Sequence, residues 1–377
     1  MGISIRDSSD SGARKSSSTP ADPAKASRFA DYARFLKNVR RDYGRAEAMY
    51  ERAITADPAN ADILGDYAHF LYYSRRDYDR AEAMYERAIT ADPANADILG
   101  DYAHFLYYSR RDYDRAEAMY ERAIEADPAN AYGLGSYAAF LEIARRDYDR
   151  AEAMYERAIT ADPDNTDILG NYAIFLVVVR RDYDRAETMY ERAIEADPTN
   201  ARLITYAIFL EKFRRDYDRA EAMYERAITA YPTNARNLSN YALFLEKVRR
   251  DYDRAETMYE RAIEADPTNA RNLSNYALFL EKVRRDYDRA ETMYERAIEA
   301  DPTNARNLSN YALFLEKVRR DYDRAETMYE RAIEADPTNA RNLSNYALFL
   351  EKVRRDYGRA QAMYERAIEA DSDGPGR

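Results

Sequence analysis

The sequence predicts an all-α chain, a solenoid of ten helix-turn-helix repeats of 34 or 35 residues each. Three observations carry that expectation. The block RNLSNYALFLEKVRRDYDRAETMYERAIEADPTNA, residues 236–270, recurs letter for letter at 271–305 and 306–340. The motif Arg-Arg-Asp-Tyr returns ten times, with its tyrosine at positions 43, 78, 113, 148, 183, 217, 252, 287, 322 and 357. Within each repeat the apolar residues fall at helical spacing, and no strand-like alternation competes.

The elements follow in order along one repeat. Leu64, Tyr67, Ala68 and Leu71 form the stripe of a first helix, and Phe70 points off that stripe toward the neighbouring repeat. Tyr78, Ala81, Met84, Tyr85, Ala88 and Ile89 form the stripe of a second. Asp77 is placed to cap it, and Asp79 adds negative charge to its first turn. Asp92-Pro93 ends it, because proline restricts the residue before it and cannot continue a helix. The period is 35 everywhere except the 34 between Tyr183 and Tyr217; the missing residue lies before Leu203, where ARLITYA replaces ARNLSNYA. The expected organisation is a disordered Ser-rich tail over 1–23, one array over 24–371, and a short tail over 372–377.

Composition bounds the function. With 58 Lys and Arg against 69 Asp and Glu, the net charge of −11 argues against a chain that coats nucleic acid. The absence of cysteine removes disulfides, thiolate metal sites and cysteine nucleophiles together. The 36 tyrosines suit a thin core, since each ring is apolar with one polar tip. No stretch is apolar enough to span a bilayer, and MGISIRDSSDSGARKSSSTP contains no signal core. An intracellular, cytoplasmic protein with no membrane partner is the expectation. No nucleophile–base pair or phosphate loop is evident, so neither enzymatic activity nor a cofactor is expected.

The repeat resembles the tetratricopeptide repeat. Ala81, Tyr85, Ala88 and Pro93 match that family's second-helix pattern and closing proline, and Ala68 takes the small position where helices approach closely. Two departures stand out: one extra residue per repeat, and Arg-Arg where glycine is usual before Asp-Tyr. Tyr-Ala-x-Phe together with Tyr-Glu-Arg-Ala also resembles the half-a-tetratricopeptide repeats of RNA-processing scaffolds. The resemblance implies a right-handed α-solenoid acting as a non-enzymatic protein-binding scaffold, with an extended peptide lying along the first helices. An RNA-processing scaffold is the lesser reading.

Within that frame the candidate ligand-binding residues are asparagines and arginines. Asn171, Asn240, Asn275, Asn310 and Asn345 occupy one first-helix position, where the resemblance implies a ladder that pairs with peptide units through carboxamides. Arg202, Arg236, Arg271, Arg306 and Arg341 recur about one turn earlier and favour an acidic segment. Asp66 and Asp101 replace the asparagine in the N-terminal half. Residues 61–95 carry four positive and seven negative charges, against six and seven in 236–270, so the two halves are not expected to bind the same ligand. Each of those aspartates closes an Asp-x-x-His, with His69 and His104, a spacing that suits either a shared metal or duplicated surface histidines; no metal site is expected, because no carboxylates converge from a third helix. The ten Arg-Arg pairs read as charge-paired turns, with a phosphate-binding stripe as the alternative. Asn237-Leu238-Ser239 and its copies are glycosylation sequons. A structural protomer that stacks end to end is the rival function, through Phe29, Tyr32 and Phe35 at one end and Met363, Tyr364 and Ile368 at the other. Identical repeats present evenly spaced surfaces, which suit a repetitive partner or another copy of the chain.

Overall fold

The computed structural model describes residues 21–199 and 201–372, so most of the predicted N-terminal tail lies outside it. The described residues form twenty α-helices in ten pairs, with no strand among them. Ala61–Phe70 and Tyr78–Ala91 are one such pair. Asn60 caps the first of these by accepting from the Ile63 N–H at 3.1 Å, and Asp77 caps the second by accepting from the Arg80 N–H at 3.3 Å. The C-cap of the second helix is Asp92, as its proline predicts.

Between the paired helices stands a π-helical turn, Leu71–Arg75 in this repeat. The Arg76 N–H donates to the Leu71 carbonyl five residues back, and the Asp77 N–H reaches the same oxygen at 3.0 Å. A π turn holds one residue more than an α turn allows, and it carries the chain around the corner. The second arginine of each Arg-Arg pair, from Arg41 to Arg355, closes this turn in the left-handed region with φ between 53° and 58°. Glycine adopts that conformation most cheaply. The short repeat keeps its π turn and loses length elsewhere: Leu203–Phe209 has 7 residues where Ala235–Phe244 has 10, and Arg202 stands at its N-cap without a side-chain cap.

The helices gather into two compact units, Met1–Met189 and Tyr190–Arg377. In the C-terminal unit each repeat before the last buries the same set, and the last leaves only its Tyr364 half-buried. Leu273, Tyr276, Ala277, Phe279 and Leu280 come from the first helix, and Ala290, Tyr294 and Ala297 from the second. The alanines at 242, 277, 312 and 347 are completely buried, as close helix approach requires. Tyr294 packs on Tyr311 and Phe314 of the next repeat, with ring centres 5.6 and 5.3 Å apart. Charge pairs clasp the same seam. Arg289 reaches back to Glu256 at 2.8 Å, to Glu260 at 2.9 Å and to the Tyr276 hydroxyl. Arg284 pairs with Asp253 and Glu256, each at 2.6 Å. One Glu256 carboxylate therefore holds two arginines of the following repeat.

The N-terminal unit repeats the scheme. Phe70 lies 5.4 Å from Tyr50 of the preceding repeat, so it faces its neighbour as predicted. Arg115 clasps Glu82 at 2.9 Å and Glu86 at 3.1 Å. At the start of the unit, Arg34 pairs with Asp66 at 2.7 Å and Lys37 approaches His69 Nδ1 at 3.3 Å; both basic residues serve the second repeat. No described helix is long and apolar enough to cross a membrane.

Candidate functional site

The predicted polar row divides between the two units. In the C-terminal unit, Asn240, Asn275, Asn310 and Asn345 sit half-buried, one on each of the first helices Ala235–Phe244, Ala270–Phe279, Ala305–Phe314 and Ala340–Phe349. None of the four side chains makes a hydrogen bond among the described residues. Arg236, Arg271, Arg306 and Arg341 are exposed and form no ion pair among them. Asn171 lies in the other unit, lining an aromatic cleft, and Arg202 is drawn into the start of its short helix. Both have interaction partners, so the structure sets four asparagines and four arginines apart from the other two.

A different asparagine ladder is structural. Asn272, 4% exposed, donates through Nδ2 to the Ala235 carbonyl one repeat back at 3.3 Å, and Asn307 does the same to Ala270 at 3.4 Å. These are sequon asparagines, and in the folded chain their amides are buried and committed to the seam. The helix-capping asparagines, such as Asn269 accepting from the Asn272 N–H at 3.2 Å, escape a reading that follows apolar stripes; Pro-x-Asn, from Pro58-Ala59-Asn60 to Pro337-Thr338-Asn339, is their signal.

The arginine pairs are half of what their sequence suggests. The first arginine is a charge-paired turn: Arg110 bonds Asp79 at 2.6 Å and Glu82 at 2.7 Å, and Arg249, Arg319 and Arg354 each reach the equivalent aspartate at 2.6 Å. The second, left-handed arginine is exposed and unpaired among the described residues.

The N-terminal unit presents aromatic clefts instead of a polar row. One, of about 270 Å³, is lined by His104, Tyr107, Tyr108, Tyr132 and Asn171 among others. The adjoining one, of about 230 Å³, shares His104, Tyr132 and Ser136 and adds Asp97 and Asp101. Tyr132 is 71% exposed and Tyr108 56%. Burial, then the neighbouring Asp97 and Asp66 carboxylates, push the Asp101 carboxyl up to about 6. Burial and the Lys37 ammonium hold the His69 imidazole down at about 4, and burial also lowers His104. The signs oppose in stability. A raised carboxyl stabilises the fold fully below the ordinary carboxylate range, and that contribution is lost as pH rises through about 6. A lowered imidazole stabilises the fold above its ordinary value, and the contribution fades as pH falls toward about 4. At neutral pH Asp101 is a charge that the fold carries at a cost. No group of three or more His, Cys, Asp or Glu side chains stands ready to hold a metal among the described residues.

Paired helices recurring every 34 or 35 residues, with polar and aromatic residues left on their surfaces, define a helical repeat protein. Residues 39–96, and again 72–140 and 142–203, match models of the tetratricopeptide repeat, the resemblance that the N-terminal repeats carry. Residues 199–375 match the HAT repeat described as the C-terminal repeat of pre-mRNA-splicing factor Syf1/CRNKL1, so both resemblances read from the sequence hold. No curated protein sequence matches the chain. Among solved structures, the chain is similar to yeast Tom70, at 17% identity over 92% of this chain and 85% of that one, with a TM-score of 0.45. Human IFIT1, solved as a dimer with m7Gppp-AAAA, aligns at 17% identity over 94% and 91%, TM-score 0.49. YrrB, described as having an unusual peptide-binding site, aligns at 22% identity over 49% of this chain and 93% of its own, TM-score 0.37.

Proposed function

We propose that the protein is an interaction scaffold whose C-terminal unit holds an extended acidic peptide. The observation that carries this reading is the set of half-buried asparagines, Asn240, Asn275, Asn310 and Asn345, with donor and acceptor unused in four successive repeats. A carboxamide pairs with one peptide group of any sequence, and the unpaired arginine a turn earlier adds preference for a carboxylate. Each bond of this kind is worth about 1 kcal/mol, so four acting together change affinity by at least about tenfold. A fluorescein-labelled Gly-Glu repeat peptide, followed by anisotropy, tests it. Replacing all four asparagines by Ala is expected to weaken binding at least about tenfold with an unchanged thermal midpoint. Replacing the four arginines by Gln is expected to weaken it and flatten its salt dependence. Unchanged affinity in both variants would falsify the reading.

A second reading, end-to-end stacking of copies, is favoured by apolar residues at both extremities. Tyr32 and Phe35 stack on each other, 6.3 Å between ring centres, and both rings are exposed. At the other extremity Tyr357 and Ile368 are exposed, while Met363 and Tyr364 are half-buried. Phe29 is also half-buried, beneath the Arg52 guanidinium at 4.2 Å. Sedimentation velocity over a concentration series is expected to show growing species that Ile368→Glu abolishes; a single one-chain species at all concentrations removes this reading.

A further inference from the structure

The repeat spanning 131–140 departs from its neighbours where the N-terminal unit opens. Its sequence is AYGLGSYAAF, against ADILGDYAHF at 61–70 and 96–105. Three of the substituted positions, Tyr132, Gly133 and Ser136, line the 230 Å³ cleft. Gly133 explains the opening. The equivalent residue one repeat earlier, Ile98, packs against Gly65, and the one a repeat later, Ile168, packs against Gly135. At Gly133 no isoleucine is present, and a Cβ placed on the facing Gly100 would meet nothing within 4 Å. One missing side chain has made a cavity that the adjoining repeats fill.

Asp101 borders that space without a partner. Its counterpart Asp66 is neutralised by Arg34 at 2.7 Å, thirty-two residues earlier. The residue thirty-two before Asp101 is His69. His69 remains uncharged, and Asp101 makes no hydrogen bond or ion pair among the described residues. Asp97 on the same wall is already engaged, accepting from Asn130 Nδ2 at 3.0 Å. The cleft thus offers one uncompensated carboxylate and, in the same lining, an exposed tyrosine ring whose face attracts cations.

We propose that this cleft binds the cationic head of a lysine or arginine side chain from a basic peptide, with Asp101 as counter-ion and Tyr132 stacking over the head. The proposal is independent of acidic-peptide binding in the C-terminal unit, and it gives the chain two sites of opposite charge preference.

The test uses labelled (Gly-Lys)4 and (Gly-Arg)4 peptides with the full chain, and (Gly-Lys)4 acetylated at every lysine as the uncharged control. A chain of net charge −11 attracts any polycation, so the decisive variant must leave charge unchanged. Gly133→Ile does so, restoring the residue that both adjoining repeats carry. It is expected to fold at least as stably as the parent and to bind the charged peptides at least tenfold more weakly. Asp101→Asn is expected to lose binding to a similar extent while raising the thermal midpoint at pH 7.5, a gain that closes below about pH 4 as the parent carboxyl protonates. The acetylated peptide should not bind. Equal affinity in parent and Gly133→Ile, failure of both charged peptides to bind the parent, or a lowered midpoint in Asp101→Asn would each overturn the proposal.

Discussion

Tyr294→Ala is expected to destabilise the chain by about 4 kcal/mol, the range for removing a fully buried aromatic ring. The ring is almost completely buried and packs on Tyr311 and Phe314 across the repeat seam. Its hydroxyl donates to Glu281 Oε2 at 2.7 Å, and Glu281 is only 6% exposed, also touched by Lys282. Tyr294→Phe separates the two contributions. It keeps the ring but leaves a buried carboxylate oxygen short of a donor, for about 1–2 kcal/mol. Chemical denaturation gives both magnitudes, and hydrogen exchange gives their reach. In a repeat array each seam depends on its neighbours alone, so faster exchange should centre on Ala270–Phe279 through Ala305–Phe314. Uniform acceleration across the C-terminal unit would show that its repeats open together.

The second large effect is a gain. Arg250, Arg285 and Arg320 hold φ at 56–58° and make no side-chain bond among the described residues. A left-handed non-glycine residue costs about 1–2 kcal/mol, and glycine returns about half of that through its freer unfolded chain. Replacing all three arginines by Gly should therefore stabilise the protein by about 2 kcal/mol, with near-additivity because each sits in a separate repeat. The urea midpoint would rise at unchanged slope. A fall would mean that these arginines hold contacts worth more than the backbone strain.

Most of the fold was legible because its signals are local and repeated. Asp77 before Tyr78, Pro93 after Asp92 and the stripe through Tyr85 and Ala88 state the second helix in one stretch of chain. Repetition makes the same statement ten times. The π turn was not legible, since nothing in Leu71–Arg75 distinguishes a five-residue bond from a four-residue one. Only the arginine standing in place of a glycine marked the corner as unusual. The candidate row was legible as a pattern of residues: Asn240, Asn275, Asn310 and Asn345 take one position on successive first helices, whereas Asn171 lines a cleft of the N-terminal unit and Arg202 stands at the N-cap of a shortened helix. The cleft at Asp101 arises from an absence, Gly133 in an isoleucine position. A search for chemistry-bearing side chains passes over a missing one, and comparing the ten copies position by position is what reveals it.

The clasp between Arg289 and Glu256 spans 33 residues, and Arg324 repeats it onto Glu291 over the same interval. Every bond of this seam therefore begins and ends at equivalent places in successive copies. Deleting or duplicating one 35-residue block inside 236–340 would rejoin identical surfaces and create no new kind of contact. Length is thus a heritable variable that the fold does not police. Chains one block longer or shorter would have equal local stability, differing only in how many carboxamides they line up.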